Sequence, residues 1–187
     1  MPKLSRSQQE KSRRKDRRRQ KSYWQSRNAA LRRMIRTFDD PILSCICYEV
    51  KEGDDVSYIK TLKQVLRATD NGVGLAASQI GITRSVIALR FDPKQKDVKV
   101  MINPEIITHS SKMETDVEGC LSYPGVIGRI SRFIQVTVKY LDEDWQEKTE
   151  SFEGFNARVV QHECSHTFGA CSLKMWWEEQ QKLALAT

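Results

Sequence analysis

The chain has 187 residues, 39% of them hydrophobic, which is enough for one domain with a substantial core. Its 31 basic and 24 acidic residues give a net charge of +7. No run of about eighteen apolar residues is present, and the N-terminus has no apolar signal-peptide core, so we expect neither a membrane span nor export. The five cysteines are expected to be reduced thiols in a cytoplasmic protein.

The charge is concentrated at the N-terminus. Residues 1–36 contain 14 Lys and Arg against two acidic residues, a local net charge of +12, whereas the remainder carries −5. We predict that residues 1–33 form a flexible, at most partly helical extension and that residues 34–187 form the globular domain. The extension could contact RNA phosphates, with Tyr23 and Trp24 stacking on bases, or be a solvated tail. An Arg- and Ser-rich organellar transit peptide is a third, less favoured interpretation.

Hydrophobic spacing and turn residues predict the elements of the domain. In chain order they are a turn at 39–41, a strand at 42–50, a helix at 59–66 ended by Asn71-Gly72, strands at 86–89 and 98–102, a strand at 133–140, a turn at 142–145 before a polar strand, a helix at 155–168 ended by Gly169, and a few turns at 175–185. Several short strands before one long helix indicate an α+β fold with mainly antiparallel short sheets.

The predicted helix at 155–168 contains His162-Glu163-Cys164-Ser165-His166. Side chains four residues apart project from one face of a helix, so His162 and His166 can bind one cation. Glu163 lies beside the first ligand, where it can exchange protons with a water on that cation. The pattern predicts a hydrolytic metal site and makes this the central, metal-binding helix around which the sheets pack.

Two histidines do not hold a catalytic ion alone, and Cys120, in a glycine-containing segment, is a candidate third ligand. A single cysteine is more often a small buried hydrophobe, and Cys45, Cys47, Cys164 and Cys171 fit that description better. Cys164 is expected to face away from the metal side of its helix.

The segment Gly72–Gln79 formally matches the dinucleotide fingerprint G-x-G-x-x-A. That fingerprint requires a preceding strand, and here a predicted helix precedes it. Alternatively, bare glycine backbone lets an extended peptide add as a strand, with Gln79 supplying an amide donor.

Three segments, Gly72–Gln79, Glu118–Ser122 and Gln161–His166, resemble the ordered signature motifs of peptide deformylases. Those motifs are G-φ-G-φ-A-A-x-Q, E-G-C-φ-S and Q-H-E-φ-D-H, where φ is apolar. The likeness extends from about Met34 to Gly169 and excludes the basic extension. It implies metal-dependent hydrolysis of the N-formyl group of N-formylmethionyl peptides, which releases formate during co-translational N-terminal processing.

The resemblance also implies roles for individual residues. The metal ligands would be Cys120, His162 and His166; the catalytic groups Glu163, the Gln79 side chain and the Leu121 N–H; and the substrate-binding residues Val73, Gly74, Glu118 and Gly119. The metal would be Fe²⁺, with Zn²⁺, Ni²⁺ or Co²⁺ able to substitute. The partners would be N-formylmethionyl nascent peptides and, through the basic arm, ribosomal RNA; we expect no membrane association and a monomer.

The chain departs from the family pattern at Ser165, where Asp is usual, and at Ile127, where some members have an arginine near the substrate. The short segment after Gly169 is similar to phage-encoded deformylases, which would act in the host cytoplasm. A different H-E-x-x-H hydrolase remains an alternative, with Glu178 or Glu179 as the third ligand of a zinc peptidase. A non-catalytic RNA- or ribosome-binding protein is another.

Overall fold

The structure is a computed structural model that describes residues 6–94 and 97–185, with the side chains of 6–13, 16, 24, 184 and 185 left out. The helices are α1 (Arg6–Arg32), α2 (Tyr58–Ala68), α3 (Gly154–Thr167) and α4 (Ser172–Leu185). The strands are β1 (Gly74–Ala76), β2 (Val86–Leu89), β3 (Lys99–His109), β4 (Met113–Cys120), β5 (Tyr123–Phe133), β6 (Gln135–Leu141) and β7 (Glu147–Glu153). Short 3-10 helices occupy Pro41–Ser44 and Ala77–Ile80.

An antiparallel five-stranded sheet, in the order β1-β2-β3-β6-β7, forms the centre of the fold. Successive side chains of a strand face opposite sides, and β2 uses both. Val86 and Ala88 pack with α2, whereas Ile87 and Leu89 pack with α3. The sheet is therefore covered on both faces by apolar helix surfaces, which places α3 in the interior.

The hairpin of β4 and β5 is a second, two-stranded sheet. Its strand β5 packs against α3 and α4. A Cβ at Gly128 would lie 2.6 Å from the Trp176 ring and 2.7 Å from Leu173, so α4 packs directly on bare β5 backbone. This confirms that the segment after Gly169 is helical and packs on the body through Trp176, although the helix begins earlier than predicted.

Helix α1 covers most of the predicted extension. Its basic middle is exposed, whereas Leu31 and Ile35 pack on the core beside α2. The Arg32 guanidinium donates to the Ala68 carbonyl at 3.1 Å. Residues 1–5 and the Trp24 side chain, part of the predicted RNA-binding arm, lie outside the described residues. The division at residue 33 and the flexibility of the extension stay predictions.

Most predicted elements are confirmed, including the strands at β2, β3, β6 and β7 and the helices α2 and α3. Gly169 ends α3 with a positive φ of 66°, as its position predicted. Strand β1 and the β4–β5 hairpin were not predicted.

The predicted strand at 42–50 is wrong. Asp40 accepts a hydrogen bond from the Ile42 N–H at 3.1 Å and starts a 3-10 helix with Pro41 in its first turn. Beyond it, the Cys47 N–H donates to the Thr167 carbonyl at the end of α3, and only an isolated bridge joins Tyr48 to Arg84. The backbone is satisfied by a helix end instead of a strand partner.

Among the described residues, no helix is both long enough and apolar enough to span a membrane.

Candidate metal centre and peptide cleft

The three polar residues of the H-E-x-x-H pattern lie on the interior helix α3 and are buried. His162 is 7% exposed, Glu163 is 4% exposed and His166 is fully enclosed. The two imidazole centroids are 5.2 Å apart, as expected for positions four apart on one helix face. Cys164, between them, packs in the apolar layer between α3 and the sheet, which confirms that it faces away from the metal side.

Cys120 ends strand β4 and meets α3 from the hairpin. Its Sγ lies 3.3 Å from His166 Nε2. The ligand atoms of Cys120, His162, His166 and Cys171 all lie within 4.8 Å of one another. The structure thus brings the predicted ligands together and adds Cys171, which was expected from the sequence to be a small buried hydrophobe.

A buried ionic network holds His162 in place. Its Nδ1 lies 2.9 Å from Glu118 Oε2, so Nε2 is the ring atom left for a metal. Arg132 donates to both carboxylate oxygens of Glu118, at 2.9 and 3.0 Å, and Arg158 donates to one at 2.9 Å. Burial alone would raise the Glu118 pKa, but hydrogen bonds from His162 and Arg132 outweigh it and hold that pKa at about 2. The carboxylate is therefore ionised and accepts every one of these bonds.

Glu163 is packed beneath the backbone of β1. A Cβ at Gly74 would lie 2.3 Å from Glu163 Oε1 and 2.6 Å from its Cδ, so only glycine leaves room for the carboxylate. Its Oε2 is buried and has no hydrogen-bond partner in the part of the chain that the structure describes. Burial raises the pKa of Glu163 to about 7, the range of a group that both takes and gives protons near neutrality.

The Gln79 amide is fixed at both ends. Its Oε1 accepts from the Ala76 N–H at 2.8 Å, and its Nε2 donates to Ser122 Oγ at 3.0 Å. Nε2 also lies 3.5 Å from Cys120 Sγ. The amide donor is therefore held next to the predicted ligand Cys120. Leu121 follows Cys120 in the turn between β4 and β5.

A cleft of about 690 Å³ opens onto this group of residues. It is lined by every predicted site residue except His166: Val73, Gly74, Gln79, Glu118, Gly119, Cys120, Leu121, His162 and Glu163. Its two walls are the segment Gly72–Gln79 and the end of β4, Val117–Cys120. Glu178 and Glu179, the alternative third ligands, are exposed on α4 and lie outside the cluster of ligand atoms.

The model of the polypeptide deformylase family matches residues 32–181 of the chain. The chain belongs to the peptide deformylase family. It is 41% identical over 136 residues to the peptide deformylase of Natranaerobius thermophilus, which covers 72% of this chain and 86% of that protein. It is 43% identical over 137 residues to the enzyme of Pseudothermotoga lettingae, which covers 72% and 77%.

The fold agrees with solved structures of deformylases. The class I type b peptide deformylase of Acinetobacter baumannii, in a crystal structure with bound Met-Ala-Ser, superposes with a TM-score of 0.64 at 35% identity. That match covers 73% of this chain and 92% of the other. As a deformylase the chain is a metal-dependent hydrolase of protein biosynthesis that removes the N-formyl group from nascent peptides. The α+β fold class is likewise confirmed.

Three arginines that support the deformylase site were missed in the sequence. Arg158 lies four residues before His162, on the same face of α3, and this spacing was the available signal. No sequence pattern indicated Arg132, because its partner Glu118 lies on the neighbouring strand β4 and the pairing of two strands leaves no fixed spacing in the sequence. Arg90 is 5% exposed and donates to the carbonyls of Gly72 and Thr69, which holds the first wall of the cleft.

The residues present fit the divalent metal on which deformylases depend. One thiol and two imidazoles are the donor types that zinc and ferrous iron take in proteins. The His162 Nδ1–H donates to the Glu118 carboxylate, and a metal-binding histidine is usually supported in this way. The unpartnered Glu163 Oε2 beside them is a ready acceptor for a water.

Proposed function

We propose that Cys120, His162 and His166 hold the metal at which this deformylase hydrolyses N-formylmethionyl peptides, with Glu163 as the proton carrier. The observation that supports it best is the buried Glu163 carboxylate in the cleft, whose Oε2 has no hydrogen-bond partner among the described residues. A divalent cation bound there would polarise the formyl carbonyl and acidify a water.

Side-chain and backbone groups of the protein carry out the remaining chemical steps. Glu163 takes a proton from the attacking water as its oxygen adds to the formyl carbon. The Gln79 Nε2–H and the Leu121 N–H donate to the oxygen that becomes negatively charged. The C–N bond then breaks, Glu163 delivers the proton to the departing amine, and formate and a free N-terminus are released.

The position of the peptide is inferred from the two walls. Strand β1 is the edge of the five-stranded sheet, and its Gly74 pairs with Leu89 of β2 on one side only. An extended peptide can add to the open side, and Gly119 of β4 offers a second backbone edge across the cleft. In this arrangement Val73 and Glu118 border the methionine pocket. The deformylase that was solved with Met-Ala-Ser makes a short methionyl peptide the natural probe.

The test is formate release from formyl-Met-Ala-Ser by protein loaded anaerobically with Fe²⁺. We expect Glu163→Gln to lower turnover by about 10²- to 10⁴-fold, the usual contribution of a positioned acid–base group, while the metal stays bound. Glu179→Gln, an exposed glutamate on α4, is the matched control and should leave turnover unchanged. Equal turnover in wild type and Glu163→Gln would overturn the assignment of Glu163.

The native metal is proposed to be Fe²⁺, with Zn²⁺, Ni²⁺ or Co²⁺ as substitutes. Elemental analysis of protein purified without oxygen, beside turnover of each reloaded form, tests this proposal. Zinc as the sole metal of fully active anaerobic protein would replace it.

We also propose that the basic arm tethers a monomeric, cytoplasmic enzyme to ribosomal RNA near emerging chains. Its support is the run of exposed basic side chains on α1, which includes Arg17, Arg18 and Arg19. Contacts with phosphates release counterions, so ribosome binding should weaken steeply with salt.

The experiment compares ribosome co-sedimentation of the full chain with that of the triple variant Arg17→Gln, Arg18→Gln, Arg19→Gln. The matched control removes the same charge from exposed lysines of the body: Lys60→Gln, Lys94→Gln, Lys112→Gln. Weaker pelleting of the arm variant alone supports the tether, and equal pelleting of both variants contradicts it.

A further inference from the structure

Cys171 lies five residues beyond His166 and is 1% exposed. Its thiol is within 4.8 Å of the ligand atoms of Cys120, His162 and His166. A buried thiol inside a cluster of metal-ligand atoms is not explained by apolar packing alone.

A tight turn brings Cys171 back to the helix that it follows. The Gly169 N–H donates to the His166 carbonyl at 3.3 Å, and the Ala170 N–H donates to the Ser165 carbonyl at 3.0 Å. Gly169 has a φ of 66°, and a Cβ there would lie 2.5 Å from the Ser44 carbonyl oxygen. The reversal is therefore held by hydrogen bonds on one side and by contact with the 44–45 backbone on the other.

The distances suit a shared cation. Two ligand atoms on one tetrahedral zinc ion, with bonds of about 2.0–2.3 Å, lie roughly 3.3–3.8 Å apart. The Cys120 Sγ to His166 Nε2 distance is 3.3 Å. Because every other pair in the cluster is within 4.8 Å, a shift of about 1 Å at most gives Cys171 the spacing of a ligand.

The thiol reaches this cluster from the side away from the cleft. Cys171 packs with Leu43, Tyr123 and Leu173, whereas the cleft is lined by Cys120, His162 and Glu163. A ligand on the buried side leaves the cleft side open, where a water or the formyl oxygen would be a fifth ligand of the kind that catalytic zinc accepts in the transition state.

We propose that Cys171 is a fourth protein ligand of the metal, so that this deformylase centre has two thiolates and two imidazoles. The inference rests on the proposed function for the other three ligands. Its consequence is a more firmly held metal, because a fourth anchor must also dissociate before the ion is lost.

The direct test needs no variant. X-ray absorption spectroscopy of the reduced, zinc-loaded wild-type protein counts the sulfur atoms bound to the metal. Two sulfurs are expected at about 2.3 Å, the usual zinc–thiolate distance. One sulfur with two nitrogens would overturn the proposal.

A second test uses Co²⁺-loaded, reduced protein, whose near-ultraviolet thiolate-to-cobalt absorption grows with the number of bound thiolates. In Cys171→Ser this band should fall to about half, and a chelator should remove the metal at least about 10-fold faster. Cys164→Ser, a buried cysteine on another face of α3, is the matched control and should retain the wild-type band. An unchanged band in Cys171→Ser overturns the proposal.

Formate release is measured on the same cobalt samples, so that a failure of the proposed function can be distinguished from a failure of the proposal for Cys171. Absence of turnover in wild type would count against the proposed function, while the sulfur count still decides the role of Cys171.

Discussion

One wall of the cleft, Gly72–Gln79, belongs to the central sheet, whereas the opposite wall, Val117–Cys120, belongs to the separate β4–β5 hairpin. The sheet wall is held by bare glycine backbone packed over Glu163 and by hydrogen bonds from the Arg90 guanidinium to backbone carbonyls. The hairpin wall is joined to α3 by buried charge, with Glu118 between two arginines and His162.

The difference predicts different weaknesses. Removing one partner from a buried ionic network leaves the others desolvated and unpaired, which is costly. A closely packed wall is sensitive to added volume, because an extra methyl group displaces its neighbours. We therefore expect substitutions that remove a charge to disrupt the hairpin wall, and substitutions that enlarge a side chain to disrupt the sheet wall.

The largest effect on stability is expected for Glu118→Ala. The change leaves Arg132 and Arg158 buried without their carboxylate, and we expect a loss of about 3–5 kcal/mol in the free energy of unfolding. His162 also loses its orienting acceptor, so metal affinity should fall about 10- to 100-fold. Denaturant unfolding and chelator competition measure the two effects. Glu114→Ala, an exposed glutamate on the same strand, should change neither.

The second effect is on the sheet wall. In Gly74→Ala the new methyl group occupies the space of the Glu163 carboxylate and displaces it. A shift of about 1 Å in a catalytic group can lower turnover roughly 10²-fold, and we expect a loss of that order in formate release. Ser131→Thr, which adds one methyl group to an exposed side chain of the hairpin outside the cleft, is the control. Equal turnover in both variants would show that the sheet wall tolerates added volume.

A smaller effect is expected for Arg90→Met, which keeps the length of the side chain and removes its donors. The carbonyls of Thr69 and Gly72 lose their buried partner, at a cost of about 1–3 kcal/mol in the free energy of unfolding. Thermal and denaturant unfolding measure it. A loss as large as that of Glu118→Ala would remove the distinction between the two walls.

The smallest effect on stability is expected at an exposed arginine of β5. Arg129 is exposed on β5, the strand that carries buried Arg132. We expect Arg129→Ala to change the free energy of unfolding by less than about 0.5 kcal/mol, whereas Arg132→Ala should cost several times more. Similar losses in both would mean that the strand's charge matters irrespective of its burial.

The sequence carried enough information to predict that Cys120, His162 and His166 lie together, because helical spacing and ordered motifs are local signals. It was also sufficient for strands such as β2, whose apolar runs are continuous. The β4–β5 hairpin was not predicted, because β4 is mostly exposed, polar and charged. Its formation depends on pairing with β5 and not on an apolar run of its own.

What the sequence could not give was proximity created by the fold. Cys171 lies beside the proposed metal ligands because the turn at Gly169 is held against Ser44, more than a hundred positions earlier in the chain. The strand predicted at 42–50 failed for a related reason, since the Cys47 N–H finds its partner at the end of α3. Long-range partners of this kind leave no periodicity in the segment itself.

The shortness of β1 has a consequence for the range of peptides that the enzyme can recognise. Three residues of edge strand span about 10 Å and can pair with only the first few residues of a peptide. Pairing through main-chain amides does not distinguish one side chain from another. In the proposed alignment the enzyme reads the formyl-methionyl end and little of the peptide beyond it, which suits a catalyst that must process chains of almost any sequence. So short an edge also offers little to a second copy of the protein, and this limits edge-to-edge aggregation.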